Sequence, residues 1–203
     1  HADISFCSEP AVLTALDKAA GEQGKTHKVV LMVDMGDLRE GVFFRQEEEL
    51  LALVKQAEQA AHLHLHGMAF NVTCYGSIIP TQQTMDDFKA LVEKAEAAIG
   101  RKLDIISGGS SINLLLLRDG VNKMPPRINH LRLGGSIANP MNIRLGRGVT
   151  FPGLREDSVT LTAEIVEIHE KASAPKGATK NWAGQTITRE DKGRRLRAIL
   201  ALG

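Results

Sequence analysis

Two short segments of this chain pair glycines with serines in a pattern suited to holding an anion. Ser107-Gly108-Gly109-Ser110-Ser111 follows an apolar run, and Gly134-Gly135-Ser136-Ile137 follows Leu131-Arg132-Leu133. Adjacent glycines let backbone N–H groups approach a bound group closely, and serines at a helix start both cap it and offer hydroxyls, which together suit a phosphate. Either segment alone reads equally well as a plain turn. Two of them, at the ends of neighbouring strands in a βα array, converge on the place where many barrels hold a phosphate. Arg132 stands two residues before the second glycine pair, points into the same region and stays charged at any working pH.

Two further segments carry polar groups at expected strand ends. Met32-Val33-Asp34-Met35-Gly36-Asp37-Leu38-Arg39-Glu40-Gly41 has glycines that permit a tight excursion and an arginine, Arg39, able to hold a planar carboxylate through two parallel hydrogen bonds. Taken by itself, it also reads as an Asp/Arg surface ion pair in a turn. Phe70-Asn71-Val72-Thr73-Cys74-Tyr75-Gly76 places Asn71 and Thr73 on one strand face, with the only tyrosine and one of the two cysteines just beyond. Edge packing followed by a turn explains that segment equally. His62, His64 and His66 alternate and would share one face of a strand, but no carboxylate or further histidine stands nearby in sequence. The run reads as a helix end entering a strand, and no metal site is expected. Cys7 and Cys74 lie far apart with no Cys-x-x-Cys or Cys/His cluster, so both are expected as free thiols.

The elements that must position these groups follow from hydrophobic periodicity. Short β-branched runs alternate with longer amphipathic stretches, the sign of βα units around a parallel sheet. Strands are expected at about Ala2–Cys7, Lys28–Asp34, His66–Thr73, Leu103–Ser107 and Asn129–Leu133. Helices are expected over Glu9–Gly24, Gln46–Ala61, Thr84–Gly100 and, shorter, Ser111–Asp119. After Ile137 the chain turns irregular, marked by Pro140, Gly146, Gly148, Pro152 and Gly153. Ser158–Ile168 and Arg195–Leu202 then read as half-exposed antiparallel strands. The expected fold is α/β: a partial (β/α)8 TIM barrel over residues 1–150, comprising about its last five strands, then a connector and the beginning of a β-rich C-terminal domain over 151–203. A closed barrel needs eight strands, so about three βα units are expected upstream of His1, in a longer protein cut at both ends.

Composition narrows the function classes. The 203 residues carry 25 Lys plus Arg against 24 Asp plus Glu, a formal charge of +1, so no global field draws the protein to nucleic acid or acidic lipid. Any anion must be bound locally. No apolar run approaches the ~20 residues that span a bilayer, and the N-terminus has no signal-peptide pattern, so a soluble, cytoplasmic protein is expected.

In their order, these segments resemble the alanine racemase-like, fold-type III enzymes that use pyridoxal 5′-phosphate, particularly the ornithine racemase branch. The resemblance runs over roughly His1 to Leu202. It is carried by Leu31-Met32-Val33-Asp34-Met35-Gly36-Asp37-Leu38-Arg39-Glu40-Gly41, Asn71-Val72-Thr73-Cys74-Tyr75-Gly76, Ile106-Ser107-Gly108-Gly109 and Leu131-Arg132-Leu133-Gly134. It implies a racemase that removes and returns the α-proton of an amino acid. Arg132 would partner the cofactor's pyridine nitrogen, keeping it unprotonated and the ring a weaker electron sink. Ser110, Gly134, Gly135, Ser136 and Ile137 would hold the phosphate, with Ser107 and Gly109 of the first cradle also against the cofactor.

Arg39 falls where the family has an arginine near the cofactor's phenolic oxygen and the substrate carboxylate. Asn71 takes a ring-contacting position that is histidine in many alanine racemases, and Met32 replaces a lysine of typical alanine racemases, a departure from an alanine substrate. Tyr75 and Cys74 are the candidates for the second acid/base. The Schiff-base lysine is expected upstream of His1, since Lys25, Lys28, Lys55, Lys89, Lys94 and Lys123 fall on turns, helices or a strand start; the isolated chain is therefore expected to show no turnover. The resemblance also implies a homodimer for the full-length protein. A decarboxylase of the same fold, a non-catalytic pyridoxal phosphate-binding module and a sugar phosphate- or nucleotide-binding barrel are the rival readings.

Overall fold

The computed structural model describes residues 2–118, 124–139, 144–146, 148–177 and 179–202. Asp119, Lys123 and Pro140, which figured in the sequence reading, lie outside them. The chain divides into two units, His1–Ser158 and Val159–Gly203.

In the first unit the order is β1 (Ile4–Cys7), α1 (Pro10–Glu22), β2 (His27–Asp34), β3 (Val42–Phe43), α2 (Glu47–Gln59), β4 (Leu63–Phe70), α3 (Gln82–Ile99), β5 (Ile105–Ser110), a 3-10 turn (Ser111–Leu114) running into α4 (Leu115–Arg118), β6 (His130–Arg132) and α5 (Gly135–Ala138). The strands pair in the order β1-β2-β4-β5-β6, with the two-residue β3 beside β2, and every pairing is parallel. This is a partial TIM barrel.

Burial explains the curl. Leu13 of α1, Leu50, Leu53 and Val54 of α2, and Phe88, Leu91 and Val92 of α3 form one core with Val29, Leu31, Val33, Leu65, Met68 and Phe70 of the sheet. The helices thus cover one face. The other carries only a small cluster of Val30, Met32 and Ala69, against which Ile4 packs. Covering a sheet on both faces gives the near-continuous apolar run Val29–Val33, every residue of which is buried.

Local chemistry moved several boundaries. Helix α3 starts before Thr84, the residue expected to open it, because Thr81 and Thr84 cap each other: the Thr84 N–H donates to Thr81 Oγ1 at 3.2 Å and the Thr81 N–H to Thr84 Oγ1 at 3.3 Å. Gly100, at φ 73°, ends it as expected. Strand β4 begins and ends three residues earlier than expected, because Leu63 and Leu65 already alternate into the core. Asn71 and Thr73 therefore do not share a strand face; they lie in the loop beyond, where Thr73 has φ 73°.

Strand β5 runs from Ile105 to Ser110, so Gly108 and Gly109 sit within it rather than in an open turn. A Cβ at Gly108 would lie 2.5 Å from Ile128 Cγ2, and one at Gly109, where φ is 101°, 2.4 Å from Asn113 Oδ1. Close packing is what these two glycines serve. Residues 111–118 form a 3-10 turn and one helical turn instead of a continuous helix.

Leu103 is buried but outside β5, because its N–H donates to Glu96 Oε1 at 3.0 Å. Glu96 is 4% exposed. Its carboxylate also takes Lys102 Nζ at 2.6 Å and Arg127 Nη2, so one α3 side chain ties down the approaches to β5 and β6. Burial pushes its pKa up, but Lys102, the Leu103 N–H and Arg127 outweigh that and hold it below the usual carboxylate range.

The second unit holds an antiparallel pair, β7 (Ile165–Ala172) and β8 (Arg194–Leu200). The ladder opens with Ile165 opposite Leu200. Residues 158–164, expected in the first of these strands, precede it, and β7 instead continues to Ala172. Nearly all of both strands is exposed, not half-exposed. Among the described residues no helix is long and apolar enough to cross a membrane.

Glu96→Ala leaves Arg127 and the Leu103 N–H without their acceptor and should cost roughly 3 kcal/mol in urea unfolding at pH 7. Because the folded pKa is depressed, the carboxylate's contribution is complete above about pH 4.5. It is lost as pH falls through the lower folded value, so the gap between wild type and variant should narrow in acid.

Candidate active site at the carboxyl ends of the strands

Arg132 closes β6 and reaches back across the sheet. Its Nη1 donates to Ser107 Oγ of β5 at 2.7 Å, its Nη2 donates to the Phe70 carbonyl at the end of β4 at 2.9 Å, and its Cζ stands 5.1 Å from the Phe6 ring centroid on β1. The guanidinium is therefore turned onto the sheet. Burial draws its pKa down, Glu40 and Cys74 oppose that, and Arg39 adds to it. An arginine so placed remains a fixed cation.

Ser107 is fully buried, and its hydroxyl also lies 3.0 Å from His130 Nδ1. Since arginine only donates, the serine oxygen accepts from Arg132 and its proton is free to go to His130. Burial and then the Arg132 charge lower the His130 pKa, which keeps that ring neutral near pH 7. His130 was missed from sequence, although it stands two residues before Arg132 and so shares its side of the strand.

The two glycine-serine segments meet, but through Ser111 rather than Ser110. Ser111 Oγ accepts the Gly134 N–H at 3.3 Å and the Ser136 N–H at 3.1 Å. Two backbone donors of the second segment thus converge on one spot beside the first. Ser136 is 1% exposed, and its Oγ has no partner among the described residues. A Cβ at Gly134 would meet nothing within 4 Å, and one at Gly135 only Ser111 Oγ at 4.0 Å. Space and an orphaned hydroxyl suit a phosphate, whose oxygen in the place of Ser111 Oγ would receive both N–H groups.

Other members of the expected set are already engaged. The Ile137 N–H donates to the Gly134 carbonyl at 3.0 Å and the Ser110 N–H to Asn113 Oδ1 at 3.1 Å. Gly109 is buried against Asn113.

The loop after β2 is organised by carboxylates, though not as an Asp/Arg pair. Asp34 Oδ1 accepts the N–H groups of Gly36 at 2.8 Å and Leu38 at 3.1 Å. Gly41, at φ 113°, closes the excursion, where a Cβ would lie 2.5 Å from the Asp34 nitrogen. Arg39 does grip a carboxylate with two parallel bonds, that of its neighbour Glu40: Nη2 donates to Oε1 at 2.5 Å and Nε to Oε2. That contact raises the Arg39 pKa and lowers the Glu40 pKa, where burial opposes and Asn71 assists.

Asn71 donates from Nδ2 to Cys74 Sγ at 3.1 Å, and its Oδ1 is buried without a partner among the described residues. Arg39, Glu40, Asn71, Cys74 and Arg132 therefore share one electrostatic neighbourhood. Tyr75 is 72% exposed at its rim.

The loop that carries Asn71, Cys74 and Tyr75 is pinned from beneath by Asp37, another residue missed from sequence. Its Oδ1 accepts the Thr73 N–H at 2.9 Å, and its Oδ2 those of Cys74 at 3.1 Å and Tyr75 at 2.9 Å. Asp37 is 2% exposed, and burial pushes its pKa up, yet the N–H groups of Tyr75, Thr73, Cys74 and Ile78 bring it below the ordinary value. The only signal in the sequence was a second aspartate in a turn that needed one.

Parallel strands with such groups gathered at their carboxyl ends make the arrangement in which barrel folds carry their sites. The family model for the N-terminal domain of alanine racemase matches residues 4–138, and the chain belongs to that family. Ornithine racemase of Acetoanaerobium sticklandii is 37% identical over 204 positions, covering 100% of this chain and 56% of that protein. Lysine racemase of Thermotoga maritima is 34% identical over 204 positions, covering 100% of this chain and 55% of that protein. The chain thus spans about half the length of the curated relatives it matches. Alanine racemase from D-cycloserine-producing Streptomyces lavendulae shares the fold, with a TM-score of 0.57 at 17% identity over 96% of this chain and 48% of that one.

Asp37→Asn replaces one acceptor oxygen with a donor facing backbone N–H groups. It should destabilise the protein by roughly 2 kcal/mol. Hydrogen exchange at the Thr73, Cys74 and Tyr75 amides should accelerate at least ten-fold while β2 exchange is unchanged.

Proposed function

We propose that this chain is the phosphate- and ring-holding part of a pyridoxal 5′-phosphate-dependent amino-acid racemase. The observation that carries the reading is the junction at Ser111, where the Gly134 and Ser136 N–H groups converge beside the unpartnered, buried Ser136 hydroxyl, with the Arg132 cation held on the same end of the sheet. Family membership and relatives named ornithine and lysine racemase support it.

Gly134, Gly135, Ser136 and Ser111 would hold the phosphate, and Arg132, its orientation fixed by Ser107 and the Phe70 carbonyl, would partner the ring nitrogen. Asn71, whose buried Oδ1 has no partner among the described residues, would contact the ring. The cofactor, when bound, supplies an electron-withdrawing system that acidifies the substrate's α-carbon. Arg39 presents its charge toward a substrate carboxylate, with Glu40 steadying the guanidinium. Cys74 and Tyr75, carried over the site on the loop that Asp37 pins, are the groups of this chain placed to move a proton at the α-carbon. The described lysines of the first unit stand on helices α1, α2 and α3, in the turns before β2 and β5, or at the start of β2. The lysine that links the cofactor is, on this reading, outside that set.

Pyridoxal 5′-phosphate should bind the chain saturably, and Ser136→Ala should weaken it about ten-fold by removing a hydrogen bond to a charged group. Chiral chromatography of L-ornithine, L-lysine and L-alanine incubated with the cofactor-loaded full-length protein, which supplies the linking lysine, should show the D enantiomer of at least one. Binding indifferent to Ser136→Ala, or carbon dioxide released in place of inversion, would overturn the reading.

A further inference from the structure

The alternating histidines of the sequence acquire a partner in the fold. His64 and His66 lie on β4, near its amino end, and Asp104 immediately precedes β5. Parallel pairing of Gly67 with Ile105 brings Asp104 alongside, and the Asp104 N–H donates to the His66 carbonyl at 3.1 Å. A register shift between Val29 and Val30 leaves His66 as the extra residue of β4 between Leu65 and Gly67. Both imidazoles then turn to one carboxylate oxygen: His64 Nε2 lies 3.2 Å and His66 Nδ1 2.9 Å from Asp104 Oδ2. One potential ligand atom from each residue falls within 4.8 Å of the others.

That grouping has the donors and spacing of a metal centre. Nitrogen and oxygen ligands about 2.0–2.2 Å from a tetrahedral ion stand roughly 3.3 Å from one another, so small side-chain rotations bring all three onto one ion. Two imidazoles and one carboxylate favour a first-row transition ion such as Zn2+ over Mg2+ or Ca2+, which take oxygen. The His64 and Asp104 side chains are 40% and 57% exposed, leaving an approach for the ion and for a water as fourth ligand. The His66 side chain, at 14%, is held within the sheet.

Neighbouring cations do not block the site. Arg101, whose charge reaches Asp104, is committed to Glu58 through Nε at 2.8 Å and Nη2 at 2.5 Å. Lys28, opposite His64 in the register, is exposed. The Asp104 backbone is itself fixed, because Asn129 donates to its carbonyl at 2.7 Å and accepts the Ile106 N–H at 2.8 Å.

We propose that His64, His66 and Asp104 bind a divalent transition-metal ion that clips β4 to β5 at the amino end of the strands. Arg132, Ser107 and Ser136 belong to the carboxyl end, so the ion acts on stability and not on the chemistry there. His62 is no part of the site: it is exposed in the turn before β4, with its N–H on Asp17 Oδ1 at 2.6 Å and its ring against Gly21.

The test uses the untagged chain and Zn2+, with binding read by calorimetry and by competition with a chromophoric chelator. One equivalent should bind with micromolar affinity and, at a hundred-fold excess over Kd, raise the melting temperature by roughly 5 °C. His66→Ala and Asp104→Asn should each weaken binding at least ten-fold, while His62→Ala changes it less than two-fold and Mg2+ gives no shift. Asp104→Asn is exposed and conservative, and metal-free melting of each variant separates lost binding from lost folding. Absent saturable binding, equal affinity in wild type and both ligand variants, or an equal loss in His62→Ala would overturn the proposal.

Discussion

A guanidinium drawn into the sheet is the constraint around which this site is built. Removing a charged group from water costs several kcal/mol, and hydrogen bonds to it return about 1.5–3 kcal/mol each. Arg132 meets that cost by donating to Ser107 on β5 and to the Phe70 carbonyl on β4, and by lying over Phe6 on β1. One side chain at the end of β6 therefore depends on three other strands being in register. The same serine hydroxyl orders His130, so the polar end of the sheet is a connected network.

Carboxylates shape the surrounding loops by taking backbone N–H groups instead of pairing with cations. Asp34 closes its own turn, and Asp37, from that turn, holds the loop after β4 through three N–H groups. Two loops that carry Arg39, Glu40, Asn71 and Cys74 are thus fastened to each other. Glu96 on the helix side differs in also pairing with cations: Lys102 and Arg127 join the Leu103 N–H on it. Buried acceptors of this kind hold irregular backbone that an apolar core cannot specify. The two ends of the strands are then left to different chemistries: an arginine and hydroxyl network at the carboxyl end, and paired histidines with an aspartate at the amino end.

Much of the fold was legible in the chain. Alternating β-branched runs and amphipathic stretches located five parallel strands and three long helices, and of the apolar stripe Leu50, Leu51, Leu53, Val54 and Ala57 all but the half-buried Leu51 fell on the buried face of α2. Boundaries were read less well where a capping pair or a buried carboxylate competed with periodicity, as at Thr81 and Leu103. Of the site, Arg132 and the second glycine-serine segment were marked by composition, and the structure brings them to one end of the sheet. Ser111, Asp37 and His130 were not, because their roles are hydrogen bonds to residues 23 to 38 positions away.

Residue order alone determined which groups this protein carries and which face each element buries, because helix and strand periods are local properties of the backbone. Tertiary structure decided what those groups do. Strand register placed Asp104 beside His64 and His66 and turned Gly108 and Gly109 from an open cradle into packing positions. Hydrogen bonds and close contacts depend on tenths of an ångström between segments far apart in the chain, and only the folded sheet supplies those distances.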